Sequence, residues 1–305
     1  MARRRKAARW GHLSDEDLLR VRICDLGVSI PGSEIQPPVR RLYQELEERG
    51  LALRPVCYLA DEWLSPNGQA AIGIPFYLAH PRLKALEFRM MFEVEGGTAS
   101  SCMRLLRHEA GHAFDHAYHL HRRKDWRRVF GSFRLAYNPH FYTADPRSKN
   151  HARNLPDNYA QSHPEEDFAE TFAVWLNPYS QWRTRYRGWP AVNKLRYVDR
   201  LMRNLAGWPI PKRRTVLQFE AKATRATLKG YYDRKFRLHR VGDLSFAVKD
   251  LKGLFRTSRA AEPRDTASAL LRKHKRLLVE SISAWSGEKP GEVARVVARL
   301  AKLCD

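Results

Sequence analysis

The spacing of apolar and polar positions predicts short helices and a small sheet in the first third of the chain. Between Ser14 and Arg49, apolar residues recur at helical spacing around the turn-forming pair Pro31-Gly32. Residues 55–60 and 71–78 are rich in β-forming side chains and predict two strands. The Asn67-Gly68 pair between them is a turn signal, although the connection is longer than that of a minimal hairpin.

A longer helix follows the predicted sheet. We expect it to begin near Ser100 or Ser101, whose hydroxyls can cap it, and to extend to about His121. Its apolar positions are frequent enough for a largely buried element. Residues 122–157 are then interrupted by prolines, and they predict an irregular segment that either forms one wall of a cleft or masks it.

A second buried helix is predicted at about residues 164–176, where Ser162 and Glu165 can form a capping box. Further helices are predicted at residues 190–205, 267–285 and 291–303, with a linker at residues 208–214. The expected fold class is α+β. The expected parts are a basic N-terminal tail at residues 1–13, a main domain at residues 14–210 and a basic, mainly helical C-terminal region at residues 211–305.

Composition narrows the class of protein. With 305 residues, 43% of them hydrophobic, the chain can bury a substantial core. We find no secretory signal and no apolar run long enough to span a bilayer. The four scattered cysteines are typical of free thiols in a reducing compartment, so we expect a cytoplasmic protein.

The formal net charge of +22 is high for a chain of this length. The positive electrostatic potential of such a charge attracts nucleic acid, anionic lipid or acidic protein surfaces. However, the basic residues are spread along the whole chain, and the common nucleic-acid-binding modules leave no signature in it. Contact with a polyanion therefore stays open as a nonspecific property.

The most informative motif is His108-Glu109-Ala110-Gly111-His112. Residues four apart on a helix share one face, so both imidazoles can reach one metal ion while Glu109 points at water bound to it. A catalytic zinc usually has three protein ligands and keeps a fourth position for water. The motif therefore requires a third ligand from elsewhere in the chain.

Glu166 is the candidate for that third ligand. It lies four residues before Glu170 on the second predicted helix, so both carboxylates share one face. Glu166 can bind the metal while Glu170 orients a ligand histidine. The competing interpretation is an acidic, solvated helix start, because Glu165, Glu166 and Asp167 also favour the positive end of a helix dipole.

Other polar residues near the motif are weaker candidates. A metzincin site requires glycine and histidine where this chain has Asp115 and Tyr118, so that class is excluded. His116 lies a further turn along the helix from the motif, which makes it a poor third ligand. His163 is better explained as a capping or surface residue. Asp115 can support the site or cap exposed groups.

The order of these motifs resembles the gluzincin branch of zinc metallopeptidases, in which the first acid is the ligand and the acid four residues later holds a ligand histidine. The segment Tyr159–Phe172 is similar to the metal-site segment of the anthrax lethal factor protease domain and of bacterial zinc-binding metallopeptidases of that type. In that group a tyrosine seven residues before the glutamate ligand assists the reaction, and Tyr159 holds this position here. The resemblance implies a zincin-like fold at roughly residues 50–180 and is silent on the C-terminal region.

The mechanism implied is hydrolysis of a peptide bond by water that zinc activates, with one zinc per chain. His108, His112 and Glu166 hold the metal, Glu109 takes the proton from water, and Tyr159 stabilises the oxyanion. The chain lacks the G-x-M-E-N-type motif of aminopeptidases, which favours an endopeptidase.

One alternative is a zinc-bearing scaffold without activity, whose basic C-terminal helices bind nucleic acid or an acidic partner. Another is a protease that its positive charge localises on nucleic acid. Glu109 argues against the scaffold, because a structural metal site has no need of a general base.

Overall fold

The computed structural model describes residues 10–137, 142–156, 158–209, 216–238, 266–288 and 290–304 of the chain. These residues form two compact units. One unit contains residues 23–83, 95–137, 142–156, 158–209 and 216–225, and it holds every predicted site residue. The other contains residues 10–22, 84–94, 226–238, 266–288 and 290–304. The predicted domain boundaries stay a prediction, and residue 210 itself lies outside the described residues.

Most of the described residues lie in helices. In chain order these are α1 (Asp15–Leu19), α2 (Gln36–Glu48), α3 (Pro81–Met91), α4 (Ala99–Tyr118), α5 (Lys124–Phe130), α6 (Pro164–Leu176), α7 (Trp182–Arg185), α8 (Ala191–Leu205), α9 (Leu228–Leu238), α10 (Ala267–Lys273), α11 (Lys275–Ser286) and α12 (Pro290–Leu303). The strands are β1 (Val56–Ala60) and β2 (Ala71–Pro75). A mixed fold, mostly helical with a small sheet, is compatible with the predicted α+β class.

The two strands are parallel, an orientation that the sequence left open. Their register pairs Val56 with Ala71 at one end and Ala60 with Pro75 at the other. The predicted Asn67-Gly68 turn does reverse the chain. The residue that it brings antiparallel to Gly73 of β2 is Leu64, which lies after the end of β1. Because the chain has already reversed once between Ala60 and Leu64, the second reversal makes β2 parallel to β1.

Helix α4 carries the motif and begins one residue before the predicted start. Thr98, not Ser100, is its N-cap: the Thr98 hydroxyl accepts a hydrogen bond from the N–H of Ser101, and the Ser101 hydroxyl accepts one from the N–H of Thr98. This reciprocal pair satisfies two exposed donors at the helix start. The helix ends at Tyr118, because His119 adopts a left-handed conformation.

Helix α6 packs directly on α4. A Cβ atom at Gly111 would lie 2.8 Å from the Cα atom of Ala169 and 3.2 Å from the Cβ atom of Phe172, so only glycine allows this approach. The N-cap of α6 is His163 and not Ser162, whose hydroxyl instead donates to the carbonyl of Tyr159. The close contact brings the buried faces of the two helices together.

Helices α2 and α8 hold this pair from outside. On α4, Arg107 donates two hydrogen bonds of 2.7 Å to the buried carboxylate of Glu45 from α2. From α8, the Lys194 ammonium lies 2.5 Å from the carboxylate of Asp167 on α6. Each buried charge therefore has an opposite charge beside it, which offsets the cost of removing it from water.

The segment predicted to be irregular, residues 122–157, contains the short helix α5 and is otherwise without regular structure over residues 131–137 and 142–156. Trp126 and Phe130 of α5 are buried and lie against Phe168 of α6, with ring centroids 5.9 and 5.4 Å apart, respectively. This segment is thus anchored to the second site helix.

The other unit contains α9 to α12, most of α3, and α1. The helix expected at residues 267–285 is two helices that meet at His274, whereas α12 matches the predicted segment closely. Val279, Val293, Ala294 and Val297 form a small buried cluster between α11 and α12. Residues 239–265 lie outside the described part of the chain.

All four cysteines are free thiols, as predicted. Among the described helices, none is both long enough and apolar enough to cross a membrane.

Substitution of Gly111 by alanine is expected to destabilise the unit that contains α4 and α6. The added methyl must push the backbone of Ala169 away, and such overpacking costs about 1–3 kcal/mol. Chemical denaturation followed by tryptophan fluorescence measures the change. As a control, Gly230→Ala in α9 meets only the Thr227 hydroxyl at 3.4 Å, so it should be neutral or stabilise by up to ~1 kcal/mol. Equal stability of both variants would contradict the close-contact interpretation.

Candidate metal centre

The two motif histidines lie one turn apart on α4 and face the same way. Their ring centroids are 4.7 Å apart, and both side chains are buried. The facing atoms are the two Nε2 nitrogens, which lie 3.0 Å from each other. The helix thus delivers two imidazole nitrogens to one point, as the motif spacing predicts.

Glu166 reaches the same point from α6. Its Oε2 atom lies 2.9 Å from Nε2 of His108 and 3.2 Å from Nε2 of His112. Among the described residues, one group of at least three histidine, cysteine or acidic side chains could hold a metal ion. It consists of His108, His112 and Glu166, whose ligand atoms all lie within 4.8 Å of one another.

The electrostatics of this group fit a cation. Nδ1 of His108 lies 2.9 Å from the Glu170 carboxylate, which only accepts hydrogen bonds when ionised, so Nδ1 carries the proton. Nε2 of His108 is then left to face Nε2 of His112 and the Glu166 oxygen. Three electron-rich atoms this close require a proton or a metal ion between them.

The pKa values of these groups reflect the same requirement. Burial by itself would lower the pKa of His108, but hydrogen bonds to the Glu166 and Glu170 carboxylates raise it to about 9. Burial would raise the pKa of Glu166, yet His112 and His108 hold it well below its usual range. Two neutral imidazoles and one carboxylate form a common catalytic zinc donor set that leaves a coordination position open.

The pKa of Glu109 is shifted in the opposite direction from that of Glu166. Its side chain is 7% exposed, and burial raises its pKa although His112 and His108 oppose that rise. Two carboxylates in one site therefore differ in proton affinity. Such a difference is typical of sites where one acid stays ionised and the other exchanges a proton.

Glu170 orients His108 and also binds the irregular segment that follows α5. Besides Nδ1 of His108, its carboxylate accepts hydrogen bonds from the backbone N–H groups of Asn154 and Leu155, at 2.9 and 2.7 Å, and from the Asn154 amide at 3.0 Å. The irregular segment is thereby tied to α6. The predicted contact between Glu170 and a motif histidine is present.

Glu165, predicted only as part of a capping box and an acidic helix start, also belongs to the site. Its Oε1 atom lies 3.1 Å from Nε2 of His116 and 3.5 Å from Nδ1 of His112, the latter at ion-pair distance but outside hydrogen-bond geometry. Burial opposes it, but these two histidines lower the pKa of Glu165 to about 2. His116 is no ligand in this arrangement; its other nitrogen, Nδ1, lies 3.2 Å from the carbonyl of Pro66. The spacing of His116 four residues after His112 is the signal that could have found this pair.

Tyr159 lies beside the first motif histidine. Its ring centroid is 5.8 Å from that of His108, and burial together with the Glu166 charge raises its pKa, so the hydroxyl keeps its proton. That hydroxyl lies 2.7 Å from the hydroxyl of Tyr137, which in turn lies 3.0 Å from Oε1 of Glu166. The sequence gives no sign of Tyr137 as a site residue, because a residue in an irregular segment has no spacing that relates it to the motif.

The remaining candidates have structural contacts. His163 caps α6 by accepting a hydrogen bond from the N–H of Glu165, and its other ring nitrogen donates to the carbonyl of Leu135. Asp115 is buried and accepts hydrogen bonds from the backbone and ring of His121, at 2.7 and 2.6 Å. It therefore stabilises the turn that follows α4.

Comparison with known proteins gives one match. Residues 101–201, about a third of the chain, match the family described as "Putative zinc-binding metallo-peptidase". The matched residues include α6, all but the first two residues of α4, and all three converging side chains. No curated protein and no solved structure shows significant similarity to the chain. The match and the geometry together support a zinc-binding metallopeptidase.

Substitution of Glu170 by glutamine is expected to weaken metal binding and the fold together. An amide cannot serve all four donors that the carboxylate accepts, and a buried donor left unpaired costs about 1–3 kcal/mol. Loss of a hydrogen bond that orients a ligand histidine typically costs about 10- to 100-fold in metal affinity. Thermal unfolding and competition for zinc with a chelating dye measure the two effects. Glu62→Gln, the same change at an exposed position, should alter neither; an unchanged zinc affinity in Glu170→Gln contradicts the orienting contact.

Proposed function

We propose that this chain is a zinc-dependent endopeptidase of gluzincin type. The observation that carries the proposal is the convergence of Nε2 of His108, Nε2 of His112 and Oε2 of Glu166 within 4.8 Å in a buried site. The motif spacing, the acidic residues of α6 and the family match all point to the same chemistry.

His108, His112 and Glu166 would hold one zinc ion per chain. When bound, zinc supplies Lewis acidity, which polarises the scissile carbonyl and acidifies the attacking water. Glu170 keeps His108 in the tautomer that presents Nε2, and Glu165 places a negative charge beside His112. The ligands are thus oriented before any substrate binds.

Glu109 is the proposed general base. It follows the first ligand on α4 and is buried beside both histidines, whose charges act on its pKa. A carboxylate with raised proton affinity can take a proton from water and return it to the leaving amine. Glu166, which stays ionised, cannot exchange a proton in the same way.

Tyr159 is the proposed donor to the oxyanion. Its hydroxyl keeps its proton, because burial and the Glu166 charge both disfavour the phenolate. A neutral hydroxyl next to the first ligand can donate to the charge that develops on the carbonyl oxygen. This role carries over from the resemblance to the lethal factor protease domain, with Tyr159 at the matching position.

Peptide or protein is the proposed substrate, in a cytoplasmic setting. Polyanion contact through the net charge of +22 remains a separate prediction. If binding to nucleic acid vanishes at modest ionic strength without sequence preference, specific recognition is excluded.

Purified protein is expected to contain about one zinc per chain, the usual content of a mononuclear site. His112→Ala and Glu166→Ala should each lose most of it, because two ligands do not retain zinc against a chelator. Elemental analysis by mass spectrometry after dialysis measures the content. His12→Ala, at an exposed histidine, is the matched control and should keep the metal. Stoichiometric zinc in Glu166→Ala would overturn the ligand assignment.

Glu109→Gln is expected to bind zinc normally and to lose proteolysis, because an amide cannot accept the proton from water. General-base catalysis contributes about 10²- to 10⁴-fold, so cleavage should fall by at least about 100-fold. Digestion of a peptide library, read by mass spectrometry, compares this variant with the wild type and with Glu62→Gln. Normal proteolysis by Glu109→Gln would contradict the role of Glu109 as general base. A wild-type protein that binds zinc but cleaves no peptide would favour the alternative of a zinc-bearing scaffold without activity.

A further inference from the structure

Tyr137 contacts two residues of the proposed centre, and it has no role in the proposed hydrolysis. Its hydroxyl lies 3.0 Å from Oε1 of Glu166 and 2.7 Å from the hydroxyl of Tyr159. It belongs to the irregular segment after α5 rather than to either site helix. A third part of the chain therefore reaches the centre.

The chemistry of the three groups fixes the direction of both hydrogen bonds. A carboxylate that serves as a metal ligand is ionised and only accepts, so the single proton of Tyr137 goes to Oε1 of Glu166. Before substrate binds, the oxygen of Tyr137 then accepts the proton of Tyr159, which Tyr159 turns to the oxyanion when that charge develops. The chain of donors runs from Tyr159 to Tyr137 to Glu166.

This arrangement separates the two oxygens of Glu166. Oε2 faces Nε2 of His108 and Nε2 of His112, while Oε1 receives the proton of Tyr137. A metal ligand carboxylate can bind through one oxygen or through both. With Oε1 engaged elsewhere, one oxygen is left for the metal.

We propose that Tyr137 is a positioning residue that restricts Glu166 to a single metal-binding oxygen and holds the Tyr159 hydroxyl beside the centre. This assignment rests on the proposed zinc site. It keeps one coordination position open for water and substrate, the feature that distinguishes a catalytic zinc from a structural one.

The hydroxyl of Tyr137 can be tested apart from its ring. The side chain is 42% exposed, and its ring centroid lies 5.0 Å from that of His163, a contact that phenylalanine preserves. Tyr137→Phe therefore removes the hydrogen bonds and keeps the packing. Circular dichroism and a thermal melt verify that the variant folds.

The experiment compares wild type, Tyr137→Phe, Tyr159→Phe and Tyr179→Phe after removal of metal and addition of zinc or cobalt. Tyr179 is 77% exposed, so its variant is the matched control. Competition with a chelating dye gives the zinc affinity, and the visible absorption of Co²⁺ reports how many ligands surround the ion.

In Tyr137→Phe we expect zinc to bind about tenfold more weakly. We also expect its cobalt bands to lose intensity, as they do when a second carboxylate oxygen joins the coordination. Tyr159→Phe should keep the wild-type spectrum, because Tyr137 still donates to Glu166 in that variant. Tyr179→Phe should match the wild type in both measurements.

A Tyr137→Phe variant with the affinity and spectrum of the wild type overturns the role of Tyr137 while the zinc site stands. A spectrum that changes in Tyr159→Phe but not in Tyr137→Phe overturns the order of donors and the assignment with it. A wild type that binds neither ion overturns the metal centre itself, so the two failures are distinguishable.

Discussion

The close contact between α4 and α6 is the constraint on which the rest of the centre depends. Two of the proposed ligand atoms are nitrogens from α4 and the third is an oxygen from α6, so their separation follows from how near the helix backbones lie. Gly111 permits that approach, because any side chain there would meet the backbone of Ala169. The glycine inside the motif thus sets the width of the site, because it faces α6 beside the two histidines.

The close contact also buries several ionisable side chains of the two helices near one another. Three acidic residues of α6 contact different histidines of α4. Glu166 faces both Nε2 atoms, Glu170 binds Nδ1 of His108, and Glu165 lies between His112 and His116. Each ligand histidine therefore has a carboxylate at its remote nitrogen. Buried charges are tolerable only when paired in this way, which explains why so acidic a helix start is buried.

The sequence predicted the elements of the centre better than their ends and pairing. The bounds predicted for α6 match those observed, because proline at its start and Asn177-Pro178 at its end are strong local signals. The sequence left the pairing of β1 and β2 open; the strands are parallel because the chain reverses twice between them, so that Gly73 lies beside Tyr58 of β1 and antiparallel to Leu64. A turn signal in the sequence predicts one reversal of the chain, and it does not show whether a second reversal lies nearby.

By itself, the sequence determined which helices carry the proposed metal-binding groups, because the period of an α-helix sets His108 above His112 and Glu166 above Glu170. Only the tertiary structure decided which groups from elsewhere meet them. Asn154 reaches Glu170, and Tyr137 reaches Glu166 and Tyr159, from a segment without regular structure. No periodicity relates such residues to a helix face, so their contacts arise solely from the path of the folded chain.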